Sequence, residues 1–294
     1  MRERRQRPRL GQNFLVSATA QAAIADALGD VSARTVVEIG PGRGEITALL
    51  AARARRLVGV ELDREMAPWL REQFAGRGSV SILEEDVLGT DFAALRAGEE
   101  EKLLVVGNLP YYITTEILLR LFRYAGDIER AVVMVQREVA DRLAAVPGTR
   151  DYGVLTVTAQ MVARVEKLMT LSPGEFSPPP QVHSTVVRLT MAPRFAELGV
   201  QPHGANTGRA GDPGEAEGFL RFVRSCFAQK RKMLGKNLRN AGFEAGRVTA
   251  AMERCGVSAG ARAEELEVEK LAGLWRELGG VKGVRKCGGT SQVW

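Results

Sequence analysis

The apolar run Thr35-Val36-Val37-Glu38-Ile39 breaks at Gly40-Pro41-Gly42-Arg43-Gly44-Glu45 and resumes as a helical pattern, Ile46-Thr47-Ala48-Leu49-Leu50-Ala51. A near-continuous apolar run of this length is a buried parallel strand, and a parallel strand needs a crossover, here a loop and a helix. The glycines let the backbone turn tightly and approach a ligand that a Cβ would block. A second strand, Leu57-Val58-Gly59-Val60, ends in Glu61. That acid falls about 20 residues past the loop, where a carboxylate is placed to grip both hydroxyls of a ribose. The loop reads G-x-G-x-G, not the G-x-G-x-x-G of dinucleotide folds, so a dehydrogenase is disfavoured. A third strand, Ser79-Val80-Ser81-Ile82-Leu83, is followed by Asp86. A carboxylate there can accept from the adenine amino group of a nucleoside cofactor; the run Glu84-Glu85-Asp86 also fits a solvated acidic turn. The alternation continues through Leu103–Val106 and a fifth strand, Ala131–Val135, and predicts an α/β fold with a doubly wound parallel sheet. Two more runs, Val154–Val162 and Ser184–Leu189, are expected to close the sheet as an antiparallel pair.

The fourth strand runs into Gly107-Asn108-Leu109-Pro110-Tyr111. A strand ending in Asn-x-Pro-aromatic suits chemistry on an exocyclic amino group of a flat heterocycle. The Asn108 side-chain oxygen can accept one amino proton. Pro110 stiffens the turn, so a neighbouring carbonyl can stay aimed at the second. Tyr111 offers a face on which a base can stack. An adenine N6 lone pair is delocalised into the ring, and two acceptors on its protons draw it back onto nitrogen. A plain strand-end turn with a packed tyrosine remains the alternative for these residues taken alone. Phe176 lies in a proline-rich loop, Ser172 to Pro180, that can be neither helix nor central strand. Such a loop can present an aromatic rigidly, or pin it to the core.

The chain resembles the ribosomal RNA adenine N6-dimethyltransferases, most closely the bacterial branch acting on the small subunit. The resemblance covers residues 9–190 and continues more loosely to about 278. It is carried by Leu10-Gly11-Gln12-Asn13-Phe14-Leu15, Glu38-Ile39-Gly40-Pro41-Gly42, Val60-Glu61-Leu62-Asp63, Glu85-Asp86-Val87-Leu88 and Gly107-Asn108-Leu109-Pro110-Tyr111. Val135-Gln136-Arg137-Glu138-Val139-Ala140-Asp141-Arg142-Leu143 and Phe176-Ser177-Pro178-Pro179-Pro180-Gln181-Val182-His183-Ser184 complete it. The resemblance implies a Rossmann-like class I methyltransferase sheet with a small helical C-terminal domain, and S-adenosylmethionine as cofactor. It implies cofactor contacts from Asn13, Leu15, Gly40, Glu61, Asp86 and Asn108, with Glu61 on the ribose and Asp86 on the cofactor adenine. Catalysis falls to Asn108, Leu109, Pro110, Tyr111 and Phe176, the two aromatics sandwiching the target adenine. The implied partner is small-subunit ribosomal RNA, within the small ribosomal subunit or its precursor. The implied product is N6,N6-dimethyladenosine at two adjacent adenosines in a hairpin near the RNA 3′ end. A large-subunit dimethyltransferase conferring antibiotic resistance, and a largely non-catalytic assembly factor, are the competing readings.

The 294 residues have room for one large and one small domain. The expected division is a methyltransferase domain over 1–200, a flexible Gly-rich connector over 201–218, a helical RNA-binding domain over 219–278 and a disordered tail over 279–294. Net charge is +6 and the pI is near 9.5, and the charge is uneven. No acid falls between Gly218 and Phe243, where Arg221, Arg224, Lys230, Arg231, Lys232, Lys236 and Arg239 flank an apolar stripe, Phe219, Leu220, Phe222, Val223 and Phe227. With the arginine-rich Met1–Arg9, this suggests a phosphate-binding surface. Cys226, Cys255 and Cys287 are far apart and odd in number, and His183 and His203 are isolated, so neither a disulfide framework nor a metal site is expected. No run of about 18 apolar residues suggests a membrane span, and the basic N-terminus lacks the apolar stretch of a secretory signal. The expectation is a cytoplasmic monomer.

Overall fold

The computed structural model describes residues 13–96, 98–200 and 215–280. The arginine-rich N-terminus, most of the expected connector and most of the expected tail therefore lie outside the described residues. Among the described residues are nine strands: β1 (Phe14–Leu15), β2 (Thr35–Ile39), β3 (Arg56–Glu61), β4 (Val80–Glu84), β5 (Leu103–Asn108), β6 (Ile128–Gln136), β7 (Ala163–Leu171), β8 (Phe176–Ser177) and β9 (Ser184–Met191). Seven form one sheet in the order β4-β3-β2-β5-β6-β9-β7, and β1 pairs with β8 in a separate ribbon.

The first five strands of the large sheet run parallel, and β9 lies antiparallel to β6. Every residue of β2 is buried, which a parallel strand covered on both faces requires. The chain order reverses at β2, which lies between β3 and β5. Carboxyl ends on either side of such a reversal open a crevice where ligands of α/β sheets bind. The covering helices follow the 3.6-residue period. Helix Thr114–Arg123 buries Thr114, Ile117, Leu118, Leu121 and Phe122, a single stripe that packs inward. The core of this part gathers Ile24, Leu28, Leu50, Leu57, Leu104, Val106 and Met134, with Phe176 among them.

The chain divides into two compact units. One holds the described residues up to Ala140 together with Val165–Met191. The other holds Asp141–Arg164 and the described residues from Ala192 onward. The second unit is helical, with Val154–Val162, Glu215–Cys226, Leu234–Asn240, Ala245–Arg254 and Val268–Glu277 as its longer helices. Its centre is aromatic: the Trp275 ring lies 5.6 Å from Phe222 and 6.1 Å from Phe219.

Three expectations need correction. Val154–Val162 is a helix, not a strand, and β7, the strand that joins β9 at the sheet edge, begins just after it. The helix is buried from Leu155 to Ala159 and again at Met161 and Val162; a segment buried all round carries no periodicity to separate helix from strand. Its start is fixed by Thr156, whose hydroxyl accepts from the Gly153 amide at 3.1 Å and donates to the Arg142 carbonyl at 2.6 Å. Second, the compact units do not follow the linear division at 200, because residues 141–164 and 192–200 group with the C-terminal helices. Third, Glu215 to Gly218, expected in the connector, open helix Glu215–Cys226.

Gly107, on β5, is a packing constraint. A Cβ there would come within 2.7 Å of the Ile39 carbonyl oxygen and 3.0 Å of the Ile39 Cβ. Gly107→Ala is expected to cost about 1–3 kcal/mol by overpacking, measured as a lowered urea midpoint at unchanged slope. Gly126→Ala, where no atom lies within 4 Å of the added carbon, is expected to leave the midpoint within error.

Candidate active site

One cavity opens at the crevice beside β2. It is lined by Asn13, Phe14 and Leu15, by the loop after β2, by Glu61 and Leu62 at the end of β3, by Glu85 and Asp86 after β4, and by Asn108 to Ile113 from the end of β5 onward. The structure thus brings together every residue expected to touch the cofactor: Asn13, Leu15, Gly40, Glu61, Asp86 and Asn108. Of the expected catalytic set, Asn108, Leu109, Pro110 and Tyr111 line the same cavity.

Phe176 does not. It is 3 % exposed, belongs to the core cluster and sits opposite Leu15 in the β1–β8 ribbon. The reason is the short N-terminal strand. The Val16 amide donates to the Glu175 carbonyl at 2.8 Å, and this pairing lays Leu15 against Phe176. In this structure the phenylalanine packs into the core behind Leu15 and does not line the cavity.

The loop after β2 turns through Gly40 and Gly42, at φ +63° and +58°. These left-handed values favour glycine. Gly42 has a second reason: a Cβ there would lie 3.1 Å from the Phe14 ring. The same ring carries the Arg43 guanidinium, whose carbon sits 4.3 Å from the ring centroid. Glu61 is 4 % exposed. Its carboxylate accepts from the Gly42 amide at 3.2 Å through one oxygen and from the Asp63 amide at 2.9 Å through the other. A carboxylate offers about four acceptor positions, so capacity remains for two ribose hydroxyls. Asp86 is exposed, and one of its oxygens accepts from the Leu88 amide at 2.9 Å.

At the end of β5 the Asn108 carboxamide nitrogen donates to the Asn13 carbonyl at 2.8 Å. Its oxygen is thereby left to accept. The Pro110 carbonyl already takes the Thr114 hydroxyl at 2.8 Å and the Ile113 amide at 3.3 Å. The Leu109 carbonyl accepts no hydrogen bond among the described residues, so it is the backbone acceptor still open beside Asn108. Leu109 itself is held by its amide, which donates to the Met134 carbonyl at 3.0 Å. The half-buried Tyr111 is fixed by a 2.6 Å hydrogen bond between its hydroxyl and that of Ser184.

Sequence reasoning gave no role to Glu38, Glu45 or Tyr112, which also line the cavity. Glu38 had a signal, a charge inside an otherwise apolar strand. It is 3 % exposed and accepts from the Thr47 hydroxyl at 2.7 Å. Burial pushes its carboxyl up to about 7. Burial also raises Glu45 and Glu61 above the ordinary carboxylate range. Among the described residues the lining holds five acids, Glu38, Glu45, Glu61, Glu85 and Asp86, and no lysine or arginine. That balance repels a pyrophosphate and attracts a cation. S-adenosylmethionine, with its sulfonium and ammonium charges and a ribose for Glu61, fits such a site, whereas NAD does not.

A doubly wound sheet with an acidic nucleoside cavity at its switch point defines a class I methyltransferase that uses S-adenosylmethionine. The family model described as ribosomal RNA adenine dimethylase matches residues 3–200, and the chain belongs to that family. It is 61 % identical over 272 residues to "Ribosomal RNA small subunit methyltransferase A" of Acidobacterium capsulatum, covering 92 % of this chain and 91 % of that protein. The protein of the same name from Koribacter versatilis is 48 % identical, covering 92 % of this chain and 93 % of its own. Among solved structures, the 23S rRNA methyltransferase ErmE is 28 % identical with a TM-score of 0.64, covering 90 % of this chain and 99 % of its own. A dimethyladenosine transferase from Plasmodium falciparum shares the fold, with a TM-score of 0.75 at 22 % identity over 92 % of this chain and 98 % of its own.

The raised carboxyls have a pH consequence. Between its ordinary value of 4.5 and about 7, Glu38 binds more protons folded than unfolded, so its contribution to stability is lost as pH rises through that window. A cationic cofactor favours the ionised carboxylates and offsets this loss. The increase in melting temperature caused by S-adenosylmethionine is therefore expected to be larger at about pH 8 than at about pH 5. NAD is expected to give none at either pH. Glu38→Gln is expected to flatten the pH dependence of the cofactor-free protein's melting temperature across the same interval.

Proposed function

We propose that this enzyme transfers methyl groups from S-adenosylmethionine to N6 of two adjacent adenosines in a hairpin near the 3′ end of small-subunit ribosomal RNA, giving N6,N6-dimethyladenosine during small-subunit biogenesis. The observation that carries the reading is the pair of open acceptors at the end of β5, the Asn108 side-chain oxygen and the Leu109 carbonyl, beside the Tyr111 ring. When bound, the cofactor supplies an electrophilic methyl group on sulfur. Asn108 and Leu109 each accept one N6 proton, which localises the nitrogen lone pair for attack. No base is needed beforehand; the alkylated nitrogen is acidic and gives its proton to water or to these acceptors. Tyr111 stacks on the extracted base and offsets part of the few kcal/mol lost on leaving its stack. Orientation and desolvation, rather than acid–base chemistry, supply most of the acceleration.

The substrate binds as part of the small ribosomal subunit or its precursor, and the enzyme works as a cytoplasmic monomer. Among the described residues no helix is long and apolar enough to cross a membrane. The helical unit supplies phosphate contacts from Arg231, Lys232, Lys236 and Arg239, which are exposed and make no ion pair among the described residues. Lys230 is engaged within its own unit, where its ammonium donates to the Arg150 and Tyr152 carbonyls, both at 3.2 Å. Small-subunit specificity is supported by 61 % identity to a relative of that name against 28 % to ErmE.

Labelled S-adenosylmethionine incubated with unmethylated small subunits is expected to yield N6,N6-dimethyladenosine, and large subunits in parallel none. Label in the large subunit alone would overturn the substrate assignment. Asn108→Ala is expected to raise the barrier by ~3 kcal/mol, by analogy with a lost oxyanion donor, seen as a fall in kcat; near-normal turnover by a folded variant would contradict the mechanism.

A further inference from the structure

Among the described residues three aromatic rings line the cavity, Phe14, Tyr111 and Tyr112, with Phe176 packed opposite Leu15, and all but Tyr112 are already engaged. Phe14 packs on Gly42 beneath the Arg43 guanidinium. Phe176 is buried. Tyr111 is half-buried and held by Ser184. Tyr112 is 59 % exposed, lines the cavity, and makes no ring contact or side-chain hydrogen bond among the described residues. A large amphipathic ring left bare at the mouth of a site is suited to a flat partner.

Its backbone is rigid. Tyr112 is the middle residue of the 3-10 turn Tyr111–Ile113, which follows Pro110 at φ −58° and leads without a break into helix Thr114–Arg123. The Thr114 hydroxyl on the Pro110 carbonyl ties the turn to the helix. Adjacent side chains on a turn of 3.0 residues point about 120° apart. Tyr111 and Tyr112 therefore cannot stack on the same face of one base. With Tyr111 beside the acceptors, Tyr112 is left for a neighbour.

We propose that Tyr112 is the stacking platform for the unpaired nucleotide that flanks the target adenosine. This rests on the assignment of an RNA adenosine as substrate. Extracting one base strips its neighbour of a stacking partner, and the Tyr112 ring replaces it. In a substrate with two adjacent adenosines, a ring fixed on one side of the target meets the other adenosine in one modification event and the nucleotide beyond the pair in the other. A ring reads the face of a base and not its edge, so methyl groups already placed on that neighbour's N6 leave the contact intact. One platform thus serves both modification events.

The test compares Tyr112→Ala, Tyr112→Leu, Tyr112→Phe and Tyr112→Trp in steady-state methylation of unmethylated small subunits, with thermal protection by S-adenosylmethionine measured on each. The Ala and Leu variants are expected to raise the KM for RNA about tenfold, the scale of one lost base–aromatic stack, with a much smaller change in kcat and with cofactor protection retained. Phe and Trp are expected to restore the KM, because the stack needs a ring and not the hydroxyl. An unchanged KM in the Ala variant would overturn the proposal, leaving Tyr112 a bare surface ring. So would a fall in kcat at constant KM, which would place the ring on the target base, or a loss of cofactor protection, which would make its role structural. Failure of the wild-type protein to form dimethyladenosine in small-subunit RNA would instead remove the assignment beneath the proposal, and it is seen before any substitution is made.

Discussion

The Glu61 carboxylate holds two segments of chain at once. One oxygen takes the amide of Gly42 in the loop after β2, and the other takes that of Asp63 just beyond β3. The first bond ties the loop after β2 to the end of β3 beside the point where strand order reverses, and the second folds the chain just beyond β3 back onto the same carboxylate. They also explain why so buried a carboxylate is tolerated: its lone pairs are partly satisfied by fixed amides. The cost of that burial remains visible in the raised carboxyl of Glu61, and more strongly in Glu38. Five acids gathered around one cavity, with no lysine or arginine among the described lining residues, favour a bound cation, which links stability, pH and cofactor in a single balance.

The reacting end depends on a second contact, from Asn108 to the Asn13 carbonyl. Asn13 precedes the two-residue strand that pairs with β8, so the N-terminal segment does more than cover the cavity. By taking a carboxamide N–H it turns the carboxamide oxygen into the free acceptor, the role proposed for it toward N6. The same segment lays Leu15 over Phe176 and Phe14 over Gly42. Cover, cofactor loop and acceptor pair are therefore joined through three consecutive residues, two by their side chains and one by its backbone carbonyl.

Much of this was legible in the sequence because it is encoded locally. The run Thr35–Ile39 with its glycine loop, the acids after the second and third strands, and Asn108–Tyr111 each announce a strand end, and strand ends on one side of a parallel sheet converge. The hidden parts depend on tertiary contacts. Val154–Val162 carries β-branched residues suited to a strand, but Thr156 caps it as a helix and burial on all sides erases the period. The proline-rich segment expected as a loop holds a 3-10 turn, Pro173–Glu175, and then strand β8, on which Phe176 sits; which way the ring points is decided by strand β1, remote in sequence. The division into units follows contacts made by residues 141–164, which no composition shift marks. Glu38 could have been suspected from its place among valines, whereas the exposure of Tyr112 beside a half-buried Tyr111 is a property of the turn and has no sequence signal.

A crystal structure of the cofactor complex decides whether the cavity beside β2 orients S-adenosylmethionine toward Asn108. The expected result places the ribose hydroxyls within hydrogen-bond distance of the Glu61 carboxylate, the adenine beside Asp86 and the sulfonium methyl facing the Asn108 carboxamide oxygen. A cofactor bound with its ribose away from Glu61, or with its methyl group turned from Asn108, would contradict the account.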